Sequence, residues 1–106
     1  MMAGFAWKWE TKNNKDAFDI VIEGIPKRWN STQKDWVNSA NAVNEVGCIH
    51  TVQGYDLNYG FVILGPDIYY DSNKDAVNVN RANFKDAVAK KKASDDDLQK
   101  IIVNAY

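Results

Sequence analysis

Two apolar runs separated by a polar segment constrain the fold of this chain most strongly. The run Val46–Ile49 is typical of a short buried strand, and the continuous run Tyr59–Leu64 is typical of a strand covered on both faces. Between them lie residues 50–56, which we call the polar loop and which we expect to open with a single helical turn. Strands that alternate with helical segments are typical of an α/β fold.

The N-terminal segment predicts a pair of strands. Phe5, Trp7 and Trp9 alternate with smaller or polar residues, so residues 4–10 are typical of a half-buried strand. Residues 17–24 show the same alternation. We expect these two strands to form a hairpin or to be neighbours in one sheet.

The following segment predicts less regular structure. Gly24 and Pro26 are expected to end the second strand. Residues 27–44 are rich in Asn and Ser. They predict an irregular loop with a short helical turn near residues 33–37.

The C-terminal part predicts a second hairpin followed by two helices. The hairpin is expected to turn at Asp71–Asn73 and to return along Ala76–Val79. One helix is predicted over Arg81–Lys91 with Asn80 as its N-cap, and another begins after Ser94, whose hydroxyl can cap it. The apolar stripe predicted for this last helix is Leu98, Ile101, Ile102 and Ala105.

Length and charge limit the function classes. A chain of 106 residues holds one domain at most, and its net charge of −1 provides no broad basic field. We therefore expect any nucleic-acid binding to depend on a local patch or on further domains. The longest apolar runs are too short for a signal peptide or a membrane span, so a soluble protein is expected. Cys48 is the single cysteine, which excludes an intrachain disulfide and favours a reduced, cytoplasmic setting.

The tryptophans are concentrated in the first third of the chain, and three interpretations stay open. They form a core and its rim, or a platform on which bases stack, or an interface to a domain outside this chain. The residues concerned are Trp7, Trp9, Trp29 and Trp36.

Several catalytic motifs are absent from the sequence. It contains no Gly-x-x-x-x-Gly-Lys-Ser/Thr phosphate loop, no Gly-x-Gly-x-x-Gly turn and no Gly-x-Ser-x-Gly elbow. Cys48 and His50 are too few to complete a tetrahedral metal site, and nothing marks an oxyanion hole beside them. We therefore expect neither a catalytic residue nor a metal site within these residues.

The polar loop resembles motif V of superfamily 1 helicases, which reads Thr-x-His-x-x-Gln-Gly-x-Glu-Phe-Asp. Beyond this motif, the stretches "AGFAWKW", "RWNS", "NEVGCIHTVQGYDLNYGFVILGPDIYYD" and "LQKIIVNAY" are similar to bacterial relatives of the schlafen-type DNA/RNA helicase domain. The residues that match motif V positions are Cys48, His50, Gln53, Gly54, Asp56, Leu57 and Asn58.

This resemblance implies a fold. The chain would form a single, partial C-terminal RecA-like domain over residues 1–106. Such a domain is a three-layer α/β sandwich, and here we expect a mixed sheet, a β-hairpin and two C-terminal helices.

The resemblance also implies site residues. Asp56, Gly54 and Gln53 would bind nucleotide, with the Asp56 carboxylate directed to the ribose of ATP. His50 and Thr51 would contact the nucleic-acid backbone. Free N–H groups at the start of the helical turn would favour an anion. The alternative interpretations are structural: His50 hydrogen-bonds a neighbouring carbonyl, Gly54 serves a turn, and Asp56 caps the short helix.

The resemblance finally implies that the chain is part of a motor. The first motor domain, with its phosphate loop and magnesium-binding acid, would lie upstream, and the arginine of a Thr-Arg-Gly segment would follow downstream. ATP and Mg belong to the parent family, whereas this chain alone is expected to hold no cofactor and to be inactive. Expected partners are single-stranded nucleic acid, bound weakly, the upstream motor domain, and further copies of the chain. A small noncatalytic protein-interaction module on a degenerate helicase scaffold is the alternative.

Overall fold

The structure, a computed structural model, describes residues 1–105. Its strands are short, and turns of 3₁₀ helix lie at Glu10–Lys12 and Trp36–Asn38. None of the helices in this part of the chain is long and apolar enough to cross a membrane. In chain order the elements are β1 Met2–Ala3, β2 Ile20–Ile22, β3 Ile25–Lys27, β4 Gly47–Cys48, α1 Ile49–Val52, β5 Val62–Ile63, β6 Ile68–Asp71, β7 Ala76–Val79, α2 Ala87–Lys92 and α3 Asp95–Ala105.

The central sheet is parallel and has the strand order β4-β1-β5. Ala3 of β1 lies opposite Cys48 on one side and Ile63 on the other. A parallel bridge between Trp29 and Val46 extends the β4 edge. The α/β class and the short buried strand around Cys48 are confirmed. The predicted mixed sheet is wrong for the described residues, because the antiparallel pairs lie in separate two-stranded sheets.

A first apolar core, the N-terminal core, covers the β4 side of this sheet. The buried Asp19 carboxylate stabilises this core by linking two segments of the chain. It accepts hydrogen bonds from the Trp29 backbone N–H and from the N–H and hydroxyl of Thr11, each at 2.8 Å. The partly buried rings of Phe5 and Trp9 pack against it. Its buried members are Ala3, Ile20, Trp29, Val46 and Cys48.

The predicted strand over residues 4–10 is wrong, because the chain turns directly after β1. The predicted hairpin is wrong in its partner: β2 pairs with β3 rather than with residues 4–10. Glu23 and Gly24 both have positive φ, 49° and 79°, as a two-residue hairpin turn of this hand requires. Pro26 was expected to end the second strand, but it lies within β3, opposite Val21. A two-stranded sheet has only edge strands, where proline is tolerated.

The irregular loop and its helical turn are confirmed in outline, since the 3₁₀ turn Trp36–Asn38 overlaps the predicted position. The second predicted hairpin is also confirmed, with β6 and β7 paired antiparallel from Ile68 opposite Val79 to Asp71 opposite Ala76.

The two C-terminal helices are confirmed, but α2 begins at Ala87 rather than at Arg81. Asp86 caps it by accepting hydrogen bonds from the N–H groups of Val88 and Ala89. Asn80 instead accepts from the N–H of Ala82 within a turn, so it is not a helix cap.

Helix α3 begins as predicted, with a reciprocal cap. The Ser94 hydroxyl accepts from the N–H of Asp97, and the Asp97 carboxylate accepts from the N–H and hydroxyl of Ser94. Of the predicted stripe, Leu98 and Ile102 are buried, whereas Ile101 and Ala105 are exposed. The second core, the C-terminal core, is Phe84, Leu98 and Ile102, with Ile68, Val79, Ala89 and Ala93 packed against it.

Strand β5 departs most from its prediction. The run Tyr59–Leu64 was expected to be covered on both faces, yet Phe61 is 73% exposed and Leu64 is 64% exposed. Only Val62 and Ile63 form the strand, and it lies at an edge of the sheet within the described residues. Ile63 packs against the N-terminal core, whereas Phe61, Val62 and Leu64 lack cover in this part of the chain.

Candidate functional site

The polar loop leaves the sheet directly from β4. Helix α1 is one turn long, and the chain then turns at Gly54, where the N–H of Tyr55 donates to the Val52 carbonyl at 3.2 Å. Gly54 has φ of +91°, a conformation that L side chains rarely adopt, and a Cβ added there would meet open space. Backbone conformation, rather than crowding, therefore accounts for a glycine at this position.

His50 lies on the surface of α1, with 58% of its side chain exposed. Its Nε2 lies 3.5 Å from the Asp86 carboxylate, and its ring centroid is 5.5 Å from that of Phe5. The partner of the imidazole is thus a carboxylate rather than the neighbouring carbonyl of the structural interpretation. Asp86 was missed by the sequence analysis, because nothing in its local sequence links the α2 cap to the polar loop.

Thr51 is engaged by a buried amide. The Asn30 side-chain NH₂ group donates to the Thr51 hydroxyl at 3.3 Å and to the Thr32 carbonyl at 2.9 Å, while its Oδ1 accepts from the N–H of Cys48 at 2.9 Å. Asn30 is only 3% exposed. It therefore holds β4 and α1 together, and sequence reasoning identified only its stretch "RWNS", not its role.

A cleft of about 530 Å³ lies between α1, the sheet and α3. His50 and Gln53 both line it, together with Asn104 from α3. Gly54 and Asp56 lie outside the lining of this cleft. The structure thus brings together two of the five predicted site residues in one concave surface.

Asp56 is exposed, and its carboxylate has no hydrogen bond or ion pair within residues 1–105. The interpretation of Asp56 as a cap of the short helix is wrong, since α1 ends at Val52 and Cys48 occupies its N-cap position. The carboxylate is therefore free to accept hydrogen bonds from a ligand.

The start of α1 offers less to an anion than the sequence predicted. Burial raises the pKa of the Cys48 thiol, and the backbone N–H groups of His50 and Thr51 lower that pKa to a smaller extent. Those N–H groups therefore act on the sulfur, and the N–H of Cys48 itself donates to Asn30. A buried thiol with a raised pKa is a poor nucleophile. In the described part of the chain, no group of three or more His, Cys, Asp or Glu side chains could hold a metal ion.

Comparison with known proteins identifies the family. The family described as "Schlafen group 3, DNA/RNA helicase domain" matches residues 1–106. An uncharacterized protein of Saccharomyces cerevisiae is 39% identical across 88% of this chain, which spans 22% of the length of that protein. This relative does not show the bacterial origin that the resemblance implied. No solved structure matches the chain. Because the family match extends over every residue, the chain belongs to the schlafen group 3 DNA/RNA helicase domain family.

Proposed function

We propose that the chain is part of the second, RecA-like motor domain of an ATP-dependent DNA/RNA helicase. The observation that carries the proposal is the exposure of the polar loop: His50 and Gln53 line one cleft, and the Asp56 carboxylate is unbonded within the described residues. Side chains exposed in this way are available to hydrogen-bond a ligand. The all-parallel order β4-β1-β5 supports a RecA-like sheet, which further strands of a longer protein would complete.

Each residue of the loop has a role in this proposal. The Asp56 carboxylate accepts hydrogen bonds from the ribose of ATP, and the open space beside Gly54 lets the backbone approach the nucleotide. Gln53 links the nucleotide to the cleft, where His50 meets the nucleic-acid backbone. The Thr51 hydroxyl, already bonded to Asn30, positions the loop and contributes its remaining acceptor capacity.

The 106 residues alone are proposed to be inactive. Phosphoryl transfer needs a cradle for the phosphates, a metal ion and a cation on the transferred group. The sequence contains no phosphate loop, so the first motor domain of the family would have to supply it, together with the magnesium ligand. We therefore propose that this segment acts with such a domain in one longer protein or in a complex.

A titration with single-stranded DNA tests the role of the polar loop. We expect weak binding of a labelled oligonucleotide at low ionic strength, and on the order of fivefold weaker binding for His50→Ala or Gln53→Ala, because each loses a polar contact. Gln99→Ala is the matched control, since Gln99 donates to the Val77 carbonyl away from the loop. Equal binding by all four proteins would contradict the proposal.

A measurement of ATP hydrolysis, with and without the same DNA, tests the predicted inactivity. We expect no turnover above buffer. Turnover that disappears in Asp56→Asn or Gln53→Ala would show that the chain is an active enzyme by itself and would overturn this part of the proposal.

A second candidate function is favoured by one observation. Residues 57–66 carry no charge, and Tyr59, Phe61 and Leu64 within them are largely exposed. Such a surface is typical of a protein-interaction module. Complete absence of DNA binding at low ionic strength, together with association through this surface, would favour the module over the motor.

A further inference from the structure

Two open clefts meet on the surface formed by the N-terminal segment. One has a volume of about 560 Å³ and the other about 470 Å³, and Trp9 and Lys12 line both. We call this combined surface the tryptophan cleft. None of the site residues of the polar loop lines it.

The tryptophan cleft is positively charged in a chain whose net charge is −1. Five basic side chains line the two halves against three acids, Glu10, Glu45 and Asp86, so the lining has a net positive charge. Glu45 accepts from the Ser31 N–H and the Trp36 indole N–H, and Asp86 accepts the two N–H groups that begin α2. The basic residues that line the cleft are Lys8, Lys12, Lys15, Arg28 and Lys85.

Two of these cations contact aromatic rings. The Lys12 ammonium lies 4.6 Å from the Trp9 ring centroid. The Arg28 guanidinium lies 4.3 Å from the Phe18 ring centroid, and its Nε donates to the Ala17 carbonyl, which fixes its direction. Trp7 lines the larger half and makes no ring contact within the described residues. The ring is half-buried and packs against the N-terminal core, so the part of it that lines the cleft is the part open to stacking.

Trp29 lies beneath the smaller half. It is 1% exposed, and its indole Nε1 is buried without a hydrogen-bond partner within residues 1–105. Because this nitrogen is closed off from solvent, Trp29 supports the cleft by packing and is not counted among the ligand contacts.

We propose that the tryptophan cleft binds single-stranded nucleic acid. Unpaired bases stack on Trp7 and Trp9, and phosphates pair with Lys12, Lys15 and Arg28. A groove that combines cations with exposed aromatic rings suits a strand whose bases are unpaired, since a duplex presents no free base faces. This inference deepens the proposed function, because it concerns the same class of ligand, but it uses none of the residues of the polar loop.

Titration of the intact chain with oligodeoxythymidylate of about ten nucleotides tests the proposal. We expect quenching of tryptophan fluorescence at low ionic strength. Lys12→Glu combined with Lys15→Glu should weaken binding by more than about tenfold and reduce its salt dependence, because two phosphate contacts are lost. Lys90→Glu combined with Lys91→Glu is the matched control, since it changes the charge equally on α2, outside the cleft.

A second comparison separates stacking from charge. An abasic oligonucleotide of equal length should bind more weakly than the thymidylate, and Trp7→Leu should reduce that difference while circular dichroism shows the fold unchanged. Equal binding of the two oligonucleotides by the intact chain would overturn the stacking role.

The outcomes also distinguish the two proposals. Binding that is sensitive only to His50→Ala and Gln53→Ala would overturn the tryptophan cleft and leave the proposed function standing. Binding that is sensitive only to the cleft variants would support the cleft and contradict the loop. An equal loss of affinity in the cleft variant and in the α2 control would show that binding depends only on the overall charge of the chain, and it would overturn the proposed cleft site.

Discussion

The two edges of the central sheet have similar apolar sequences and opposite environments. On the β4 edge, Val46 is 0% exposed and Cys48 is 2% exposed, because residues 28–30 pair with them and the Trp36 ring packs against Gly47 between them. On the β5 edge, Val62 is 51% exposed and no strand pairs with its outer side within residues 1–105. Apolar composition thus predicts a strand, but whether the strand is buried depends on which segment packs against it.

Substitution of glycine on each edge should give the largest difference. A Cβ at Gly47 would lie 2.3 Å from Trp36 Cζ3 and 2.6 Å from Val52 Cγ1, so Gly47→Ala should lower the free energy of unfolding by about 3 kcal/mol. At Gly60 the nearest atom is the flexible end of Met2, at 3.2 Å. Gly60→Ala should therefore cost less than about 1 kcal/mol. Urea denaturation measures both, and equal losses would contradict the described packing of the β4 edge.

A matched pair of valines, one on each edge, should differ in the same direction in the free energy of unfolding that their substitution costs, but by less. Val46→Ala removes fully buried methyl groups and should cost about 2 kcal/mol. Val62→Ala removes half-exposed ones and should cost about 0.5 kcal/mol. If Val62→Ala proved as costly as Val46→Ala in thermal denaturation, β5 would be covered in solution, for example by a second copy of the chain.

Asp67 lies beyond β5, where the chain is buried again. Its substitution should raise the free energy of unfolding, whereas the substitutions above lower it. Asp67 is 1% exposed, its Oδ1 has no hydrogen-bond partner within the described residues, and burial raises the pKa of its carboxyl. An acid whose pKa is raised on folding destabilises the folded state increasingly as pH rises above the pKa of the unfolded chain.

Asp67→Asn should therefore raise the free energy of unfolding at pH 7 by about 1 kcal/mol. The gain should shrink as the pH falls and should be lost below about 3.8, the ordinary pKa of an aspartyl carboxyl, where the group is protonated in both states. Urea denaturation at several pH values measures this, and a loss of stability at pH 7 would show that the carboxylate has a partner that the structure does not describe.

The smallest effect on stability, but a clear effect on association, is expected at Phe61. We predict that the chain associates through the exposed β5 edge, and that Phe61→Lys prevents this while changing the free energy of unfolding by less than about 0.5 kcal/mol. Val103→Lys on α3 is the control, because Val103 is 57% exposed on another element. A monomer at every concentration by light scattering would contradict the prediction.

Features set by neighbouring residues could be predicted from the sequence. The reciprocal cap between Ser94 and Asp97 and the β6–β7 hairpin need only groups a few residues apart, so their local pattern was sufficient. The predicted strand over residues 4–10 failed because a turn after β1 replaced it, although Phe5 and Trp9 still reach the N-terminal core.

The candidate site divides in the same way. The position of the polar loop after a buried strand and its single helical turn followed from the local sequence. Its partners did not, since Asn30 and Asp86 come from distant parts of the chain. Proximity of this kind depends on how the elements pack, which no local pattern encodes.

The sequence by itself therefore determined the α/β class, the cap of α3, the second hairpin and the family of this protein, because these depend on short-range hydrogen bonds and on residue identity. The tertiary structure alone decided which apolar strand is covered, which acids accept hydrogen bonds within the chain, and which cations lie near the tryptophans. Burial and electrostatic fields are sums over segments that are remote in the chain, so they arise only when those segments are brought together.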